Sequence, residues 1–408
     1  MRHYTKTLKN DILNNMDIKK EARELLEMNH RKTNEYEYTI PSSDTYPYQW
    51  FWDSCFHAIV LSELNPGMAK QELRALISKQ FENGLIPHII YWQPGDLHKY
   101  EWGKDGTSAI TQLPLLASAV WKIYEKTKDI EFLKEMHKPL TNFYRYIVKD
   151  RDKRGNHIIS IINPDESGED NSPRFDRALN ITDTQISIDD HLKKRLTLID
   201  NNRVCNFDAI NCMEKFFWVK DVPFNSILVE NLRVLGEICT LLGDMETKKF
   251  ANENKEMIAK SMREKMLEDG VFWSINGQTY EKIKINTWAH FAPLFAGLYT
   301  KEEAKNLIDR YLMDENSFSS PYGIRSVSKK EIYYNPLGFW RGPIWIAVQW
   351  FIFKGLKKYG FEKEAEDLKR KTENLIKREG FREYYNGDTG RGLGAKNFTW
   401  GTLIIDMI

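Results

Sequence analysis

Residues 223–244 read PFNSILVENLRVLGEICTLLGD. Phe224, Ile227, Leu228, Leu235, Ile238, Cys239 and Leu242 recur at three- and four-residue steps, which makes one apolar stripe on a long helix. The pattern stops at Gly243, a residue that tolerates the left-handed end of a helix, and Asp244 is placed to cap the next one. The same device recurs at Thr127-Lys128-Asp129-Ile130, near Tyr299-Thr300-Lys301, and at Tyr359-Gly360-Phe361-Glu362. Each is a short turn between two periodic segments, so the building unit is an αα-hairpin. Turn positions 244, 301 and 361 are spaced by 57 and then 60 residues, which predicts six or seven hairpins in a chain of 408. Repeating hairpins either stack into an open solenoid or close into a ring. These are too dissimilar in sequence for a repeat array, so closure is the expectation.

Bulk composition narrows the function. The chain carries 59 basic and 58 acidic residues, a net charge of +1, which points away from nucleic acid and from anionic membrane surfaces. No run of about 18 apolar residues exists, so no membrane span is expected. Met1-Arg2-His3-Tyr4-Thr5-Lys6 leads into a polar helix rather than an apolar signal core, and a cytoplasmic location is the expectation. Cys55, Cys205, Cys212 and Cys239 form no C-x-x-C pair and have no nearby His at zinc spacing, so they read as reduced core thiols. No linker or charge block divides the chain, which reads as one domain over residues 1–408. With 12 Trp and 19 Tyr, the chain is unusually aromatic for one so charged.

The aromatics gather in long segments that lack helical periodicity: 39–52, 83–107, 158–177, 317–341 and 380–397. Long structured loops in a compact domain usually carry function. Four of them hold candidate chemistry. Tyr46-Pro47-Tyr48-Gln49-Trp50-Phe51-Trp52-Asp53 mixes rings with a carboxylate and an amide, as a sugar site requires: ring faces stack on sugar faces, and polar groups bind each hydroxyl. On extended backbone, Trp50 and Trp52 would face one way. The same segment also reads as a buried aromatic turn.

Asn163-Pro164-Asp165-Glu166-Ser167-Gly168-Glu169-Asp170-Asn171-Ser172-Pro173 places four carboxylates in six positions. Crowded carboxylates raise one another's pKa, which suits a proton donor, although a solvated acidic loop or a calcium loop has similar content. Phe381-Arg382-Glu383-Tyr384-Tyr385 sets one Glu beside two tyrosines, ahead of a glycine-rich stretch that is not a phosphate loop. Phe339-Trp340-Arg341-Gly342-Pro343-Ile344-Trp345 places two tryptophans around a proline suited to the first turn of a helix.

Taken in order along nearly the whole chain, these segments resemble the family 63 glycoside hydrolases and their trehalase and debranching relatives. Gly84-Leu85-Ile86-Pro87 and Thr111-Gln112-Leu113-Pro114 add lesser matches. The resemblance implies an all-α fold, an (α/α)6 barrel whose long loops form the mouth of the site. It implies inversion without a cofactor, with general acid Asp170 in the Glu-Ser-Gly-x-Asp-Asn motif and general base Glu383 before the paired tyrosines. Compact members are similar to hydrolases of mannosylglycerate and glucosylglycerate; others cut trehalose or trim glucose from oligosaccharides. One departure stands out: similar enzymes often have tryptophan where this chain has Asp165.

The working expectation is therefore an exo-acting α-glycoside hydrolase that releases glucose or mannose from a small carbohydrate substrate. Inversion needs room for a water, hence a carboxylate separation of roughly 6.5–9.5 Å. Glu166 and Glu169 are expected to hold the Asp170 proton. Trp50, Trp52, Trp340 and Trp345 are expected to wall the pocket, with Tyr46, Asp53, Gln112, Glu166 and Arg341 binding substrate. No catalytic metal is expected, and no metal ligands are assigned among the site residues; metal binding in the loops is left open. A glycerate leaving group would want a cation, for which Arg174, Arg203 and Arg391 are loop candidates. The competing readings are another sugar-active enzyme on the same barrel, an epimerase using histidines such as His57 and His88 or a phosphorylase, and a non-catalytic sugar binder. The sequence gives no reading of oligomeric state.

Overall fold

A computed structural model describes residues 17–93 and 102–408. The polar start of the chain, read above as lacking a signal, lies outside the described residues, as does part of the 83–107 segment. Thirteen α-helices are used below to describe the architecture: α1 (Ile18–Met28), α2 (Phe51–Leu64), α3 (Pro66–Ile77), α4 (Leu116–Thr127), α5 (Ile130–Asp150), α6 (Ile188–Val204), α7 (Ala209–Lys215), α8 (Val222–Leu242), α9 (Met245–Lys265), α10 (Ala292–Ala296), α11 (Lys301–Leu307), α12 (Ile346–Tyr359) and α13 (Glu362–Glu379). A 3-10 helix follows at Thr399–Asp406.

Six of these elements close a ring. Helix α2 packs on α4, α4 on α8, α8 on α10, α10 on α12, α12 on the 3-10 helix, and that helix back on α2. Outside them, α3 backs α2, α5 backs α4, α9 backs α8, α13 backs α12, and α1 backs the 3-10 helix, while α11 follows α10 across the turn at Tyr299. The fold is the (α/α)6 barrel. Five pairs are hairpins from consecutive helices; the sixth joins the first described helix to the last. The expected turns fall where the spacing put them. Asp129 caps α5 through Glu131 and Phe132, and Asp244 caps α9 by accepting from the Thr247 N–H at 3.0 Å.

Inner and outer helices differ as a ring demands. Helix α5 buries one broad stripe (Phe132, Leu133, Met136, Leu140, Phe143, Tyr144, Tyr146, Ile147) and leaves its other positions half-buried or exposed. The single stripe expected for α8 understates its burial, because an inner helix has neighbours all round. Its two buried asparagines are satisfied: Asn225 bonds both ways with the Ile159 backbone, and Asn231 accepts from Ser118 N–H and the Tyr144 hydroxyl.

The expectation of four reduced thiols is corrected. Cys205 and Cys212 form a disulfide with Cα atoms 5.6 Å apart, while Cys55 and Cys239 are free and buried. The pairing was hidden because the chain reverses between the end of α6 and the start of α7, bringing thiols seven residues apart into register. Among the described residues, no helix is long and apolar enough to cross a membrane.

Candidate active site

The loops gather over one end of the ring, where α2 and α12 begin, around a cavity of about 380 Å³. Trp50, Trp52, Trp340 and Trp345 all line it. Trp50 and Trp52 do so differently from the expectation of extended backbone: Trp50 ends a two-residue strand paired with Ile89–Ile90, and helix α2 starts at Phe51. Likewise Pro343 precedes the helix it was expected to open, which begins at Ile346. Trp340 and Trp345 stack with centroids 3.9 Å apart and planes 3° from parallel, and Tyr384 continues the stack 4.9 Å from Trp345. Phe339, at the head of this wall, holds a left-handed backbone (φ 60°), and its carbonyl accepts from the Trp345 indole at 3.1 Å. Strain of that kind persists only where surrounding contacts hold it.

The acidic motif folds as a 3-10 turn, Pro164–Ser167, closed by Gly168 in the left-handed conformation. A Cβ on Gly168 would stand 2.4 Å from the Trp52 ring, so glycine is needed on two counts. Only two of the four carboxylates reach the cavity: Asp165 and Asp170. Arg195 on α6 bridges both. Glu166 does not reach it. It is fully buried against Arg151 (2.6 and 2.8 Å) and accepts from the backbone N–H groups of Thr111 and Ile162. Its expected role in substrate binding is thus replaced by that of a buried pair. Glu169 is likewise held by Arg174 at 2.8 and 2.9 Å, with Asp221 on the same guanidinium.

Burial pushes the Asp170 carboxyl up to about 6, against the lowering charge of Arg195 and with the help of Asp165. Glu166 and Glu169, expected to hold that proton, are not among the causes. Glu383 sits in strand Arg382–Tyr385, paired with Gly392–Lys396 through a bulge opposite Glu383. Gly394 lies in the bulge at φ 61°, and a Cβ there would stand 2.3 Å from Glu383 Oε2. The glycine-rich stretch is thus a backbone that lets the carboxylate lie flat on it. Tyr46 donates its hydroxyl to Glu383 Oε1 at 2.6 Å, and Ala395 N–H donates to Oε2 at 2.8 Å. Burial raises the Glu383 pKa; these two bonds oppose that, and the charge of Asp170 adds to it. Tyr46 is pushed well above its ordinary pKa by burial and by the Glu383 charge, so it remains a donor.

Asp53 lines the cavity and accepts from the Trp400 indole at 2.5 Å; burial lifts its carboxyl to about 6. Gln112 lines it too, with Oε1 accepting from Trp52 N–H at 3.2 Å. Arg341, expected to bind hydroxyls, is 1% exposed, paired with Asp176 and outside the lining. The three loop arginines proposed for a carboxylate also fail to reach it: Arg174 is buried with Glu169 and Asp221, Arg203 pairs with Asp200, and Arg391 is an exposed residue off the lining.

The sequence reading missed the cation that does reach it. Arg195 is the one Lys or Arg lining the cavity among the described residues, and its Nε has no partner there. His191, one turn earlier, lines the cavity with both ring nitrogens unpartnered, and the indole N–H groups of Trp50 and Trp102 are also free among the described residues. Buried polar atoms seek partners, so these atoms have hydrogen-bonding capacity left for a ligand. His88 lines the cavity; His57 does not, bonding instead to Thr399 at 2.6 Å. Burial holds His88 down at about 4 and His191 at about 3, so both are neutral near pH 7 and neither supplies the protonated imidazole of an acid–base pair.

Residues 46–401 match a family model described as a mannosylglycerate hydrolase MGH1-like glycoside hydrolase domain. Mannosylglycerate hydrolase MGH1 of Selaginella moellendorffii is 30% identical over 402 residues, covering 89% of this chain and 80% of that protein. The mannosylglycerate hydrolase of Thermus thermophilus is 30% identical over 420 residues, covering 94% of this chain and 98% of that protein. The crystal structure of a GH63 mannosylglycerate hydrolase from a second strain of Thermus thermophilus, in complex with Tris and D-glycerate, superposes with a TM-score of 0.86 at 30% identity, over 96% of this chain and 99% of that one.

Proposed function

Because this chain belongs to the MGH1-like glycoside hydrolases of family 63, we propose that it hydrolyses a small α-glycoside with inversion, Asp170 acting as acid and Glu383 as base. It is a glycoside hydrolase acting on small glycosides. The finer reading is an exo-acting enzyme releasing mannose or glucose from a glycoside whose leaving group carries a carboxylate, as in mannosylglycerate or glucosylglycerate.

The observation that carries this reading is the placing of Arg195 beside Asp170 in a cavity that also holds Glu383. Asp170 would protonate the glycosidic oxygen as its bond to the anomeric carbon breaks. Glu383, ionised and steadied by Tyr46 and Ala395, would take a proton from water attacking the opposite face. Arg195 would meet the leaving-group carboxylate through its unpartnered Nε. Its charge lowers the Asp170 pKa in the free protein. A carboxylate arriving there offsets that charge and raises the pKa, so the acid would gain its proton as the substrate binds. The stacked Trp340–Trp345 wall and the free donors of Trp50, Trp102 and His191 would hold the sugar.

Proton NMR of reactions with mannosylglycerate, glucosylglycerate, trehalose, isomaltose, nigerose and kojibiose tests the proposal. β-Sugar appearing first from an α-glycerate substrate is the expected result. α-Sugar first would overturn the water-activating role of Glu383, and cleavage of neutral disaccharides alone would overturn the role of Arg195.

A further inference from the structure

The turn between α8 and α9 brings three donor atoms from two hairpins together. Nε2 of His137, on α5, lies 3.8 Å from Sγ of Cys239 in the last turn of α8. The same nitrogen lies 3.0 Å from Oδ2 of Asp244, the cap of α9. All three donor atoms fall within 4.8 Å of one another. Asp244 divides its work: Oδ1 accepts the Thr247 N–H, which leaves Oδ2 for another partner.

A Cys-His-Asp set suggests two chemistries. In a nucleophilic relay, thiol and carboxylate bond to opposite ring nitrogens, so that the carboxylate orients the ring against the thiol. Here both meet Nε2, and no relay runs through the ring. Convergence of sulfur, nitrogen and oxygen on one point is instead the arrangement of a metal ligand set. Zinc bonds of about 2.3 Å to sulfur and about 2.0 Å to nitrogen and oxygen give tetrahedral edges of about 3.5 Å (S to N) and about 3.3 Å (N to O). The observed 3.8 and 3.0 Å bracket those edges, so small side-chain rotations complete the geometry.

We infer that His137, Cys239 and Asp244 bind a borderline-soft divalent cation of the zinc class, with water in the fourth position. The thiolate excludes Mg²⁺ and Ca²⁺, which take oxygen ligands. Cys239 is buried, whereas His137 and Asp244 are 24% and 27% exposed, so the ion enters from the solvent side. Arg145, the cation whose charge reaches Cys239, is engaged by Glu246. The site ties hairpin α4–α5 to hairpin α8–α9. It lies at the opposite end of α8 from the catalytic loops, about 30 Å away at 1.5 Å per residue. It therefore braces the ring and takes no part in the reaction.

Cobalt(II) is the probe, added to the full-length protein in chelator-free and reductant-free buffer, which leaves the Cys205–Cys212 disulfide closed. One equivalent is expected to give a thiolate-to-cobalt charge-transfer band with the intense visible absorption of a tetrahedral ion, and Zn²⁺ is expected to displace it. Cys239→Ser should lose the charge-transfer band. Asp244→Asn, which keeps the helix cap, should weaken binding at least tenfold. Zinc should raise the melting temperature of the wild type by a few degrees and leave Cys239→Ser unmoved. If Cys239→Ser does not fold, His137→Gln reads the same loss from a more exposed position. No thiolate band in the wild type, or a band that survives in both variants, overturns the inference.

Discussion

Asn171 Oδ1 accepts the backbone N–H of Trp340 at 2.9 Å, joining the loop of the proposed acid to the aromatic wall across 169 residues of sequence. The bond fixes Asp170, its chain neighbour, relative to the Trp340–Trp345 stack. A buried side-chain amide with a defined backbone partner positions both loops at once, which is what a site on long loops needs to keep its geometry.

Asp170→Asn and Glu383→Gln should each lower kcat by at least about a hundredfold, the usual scale for a positioned acid or base. Both replacements keep shape, so melting temperatures should stay within a few degrees of wild type. Steady-state kinetics with thermal melts checks this; a variant that keeps a third of its activity would refute its assignment.

The pH profile should respond at each of its limbs to a different neighbour. Tyr46 donates to ionised Glu383 and so opposes the upward shift of its pKa. Tyr46→Phe removes that donor, the Glu383 pKa rises further, and the acid limb of kcat/KM moves to higher pH.

Arg195→Gln should move the other limb. Asp170 stands at about 6 with Arg195 lowering it, so loss of the cation raises the carboxyl pKa and carries the basic limb upward. The same variant should raise KM for glycerate glycosides by at least about tenfold, since loss of a charge-assisted bond costs about 1.5–3 kcal/mol. KM for a neutral disaccharide should change little.

Gly394→Ala would drive a methyl to within 2.3 Å of Glu383 Oε2 in a backbone region that disfavours side chains. Displacing the proposed base by about 1 Å should cost about a hundredfold in turnover. Kinetics and a thermal melt separate this from unfolding: the loss of rate should far exceed the loss of stability.

Glu166→Ala tests the correction made by the structure. Stranding Arg151 without its buried partner should destabilise by about 3–5 kcal/mol. Urea denaturation should show that loss, while KM of the remaining folded enzyme should stay near wild type. A large change in KM with intact stability would restore Glu166 to the substrate site.

The aromatic walls were legible in the sequence because tryptophans in glycine- and proline-rich loops have few other roles. Asp170 and Glu383 were placed by family resemblance, since nothing in the spacing of Asp165, Glu166, Glu169 and Asp170 tells which carboxylates meet an arginine. Arg341 was misread for the same reason: residue type gives chemistry but not direction, and its partner Asp176 is 165 residues distant. Arg195 and His191 were invisible because their helix is polar on most sides, with Lys193 and Lys194 between them. The His137–Cys239 contact spans 102 residues, far beyond any spacing rule for metal ligands.

Closure of the ring by α2 against the last segment of the chain has a consequence for biosynthesis. Tyr46 meets Glu383, Asp53 meets Trp400 and His57 meets Thr399, over 337, 347 and 342 residues. A nascent chain that has not yet released residue 399 from the ribosome presents α2 and α12 with an open, apolar seam between them. Domains that depend on such distant partners fold late and expose sticky surface while they wait. Production in cells should thus be governed less by the stability of the finished barrel than by how well the unfinished arc is kept from its neighbours.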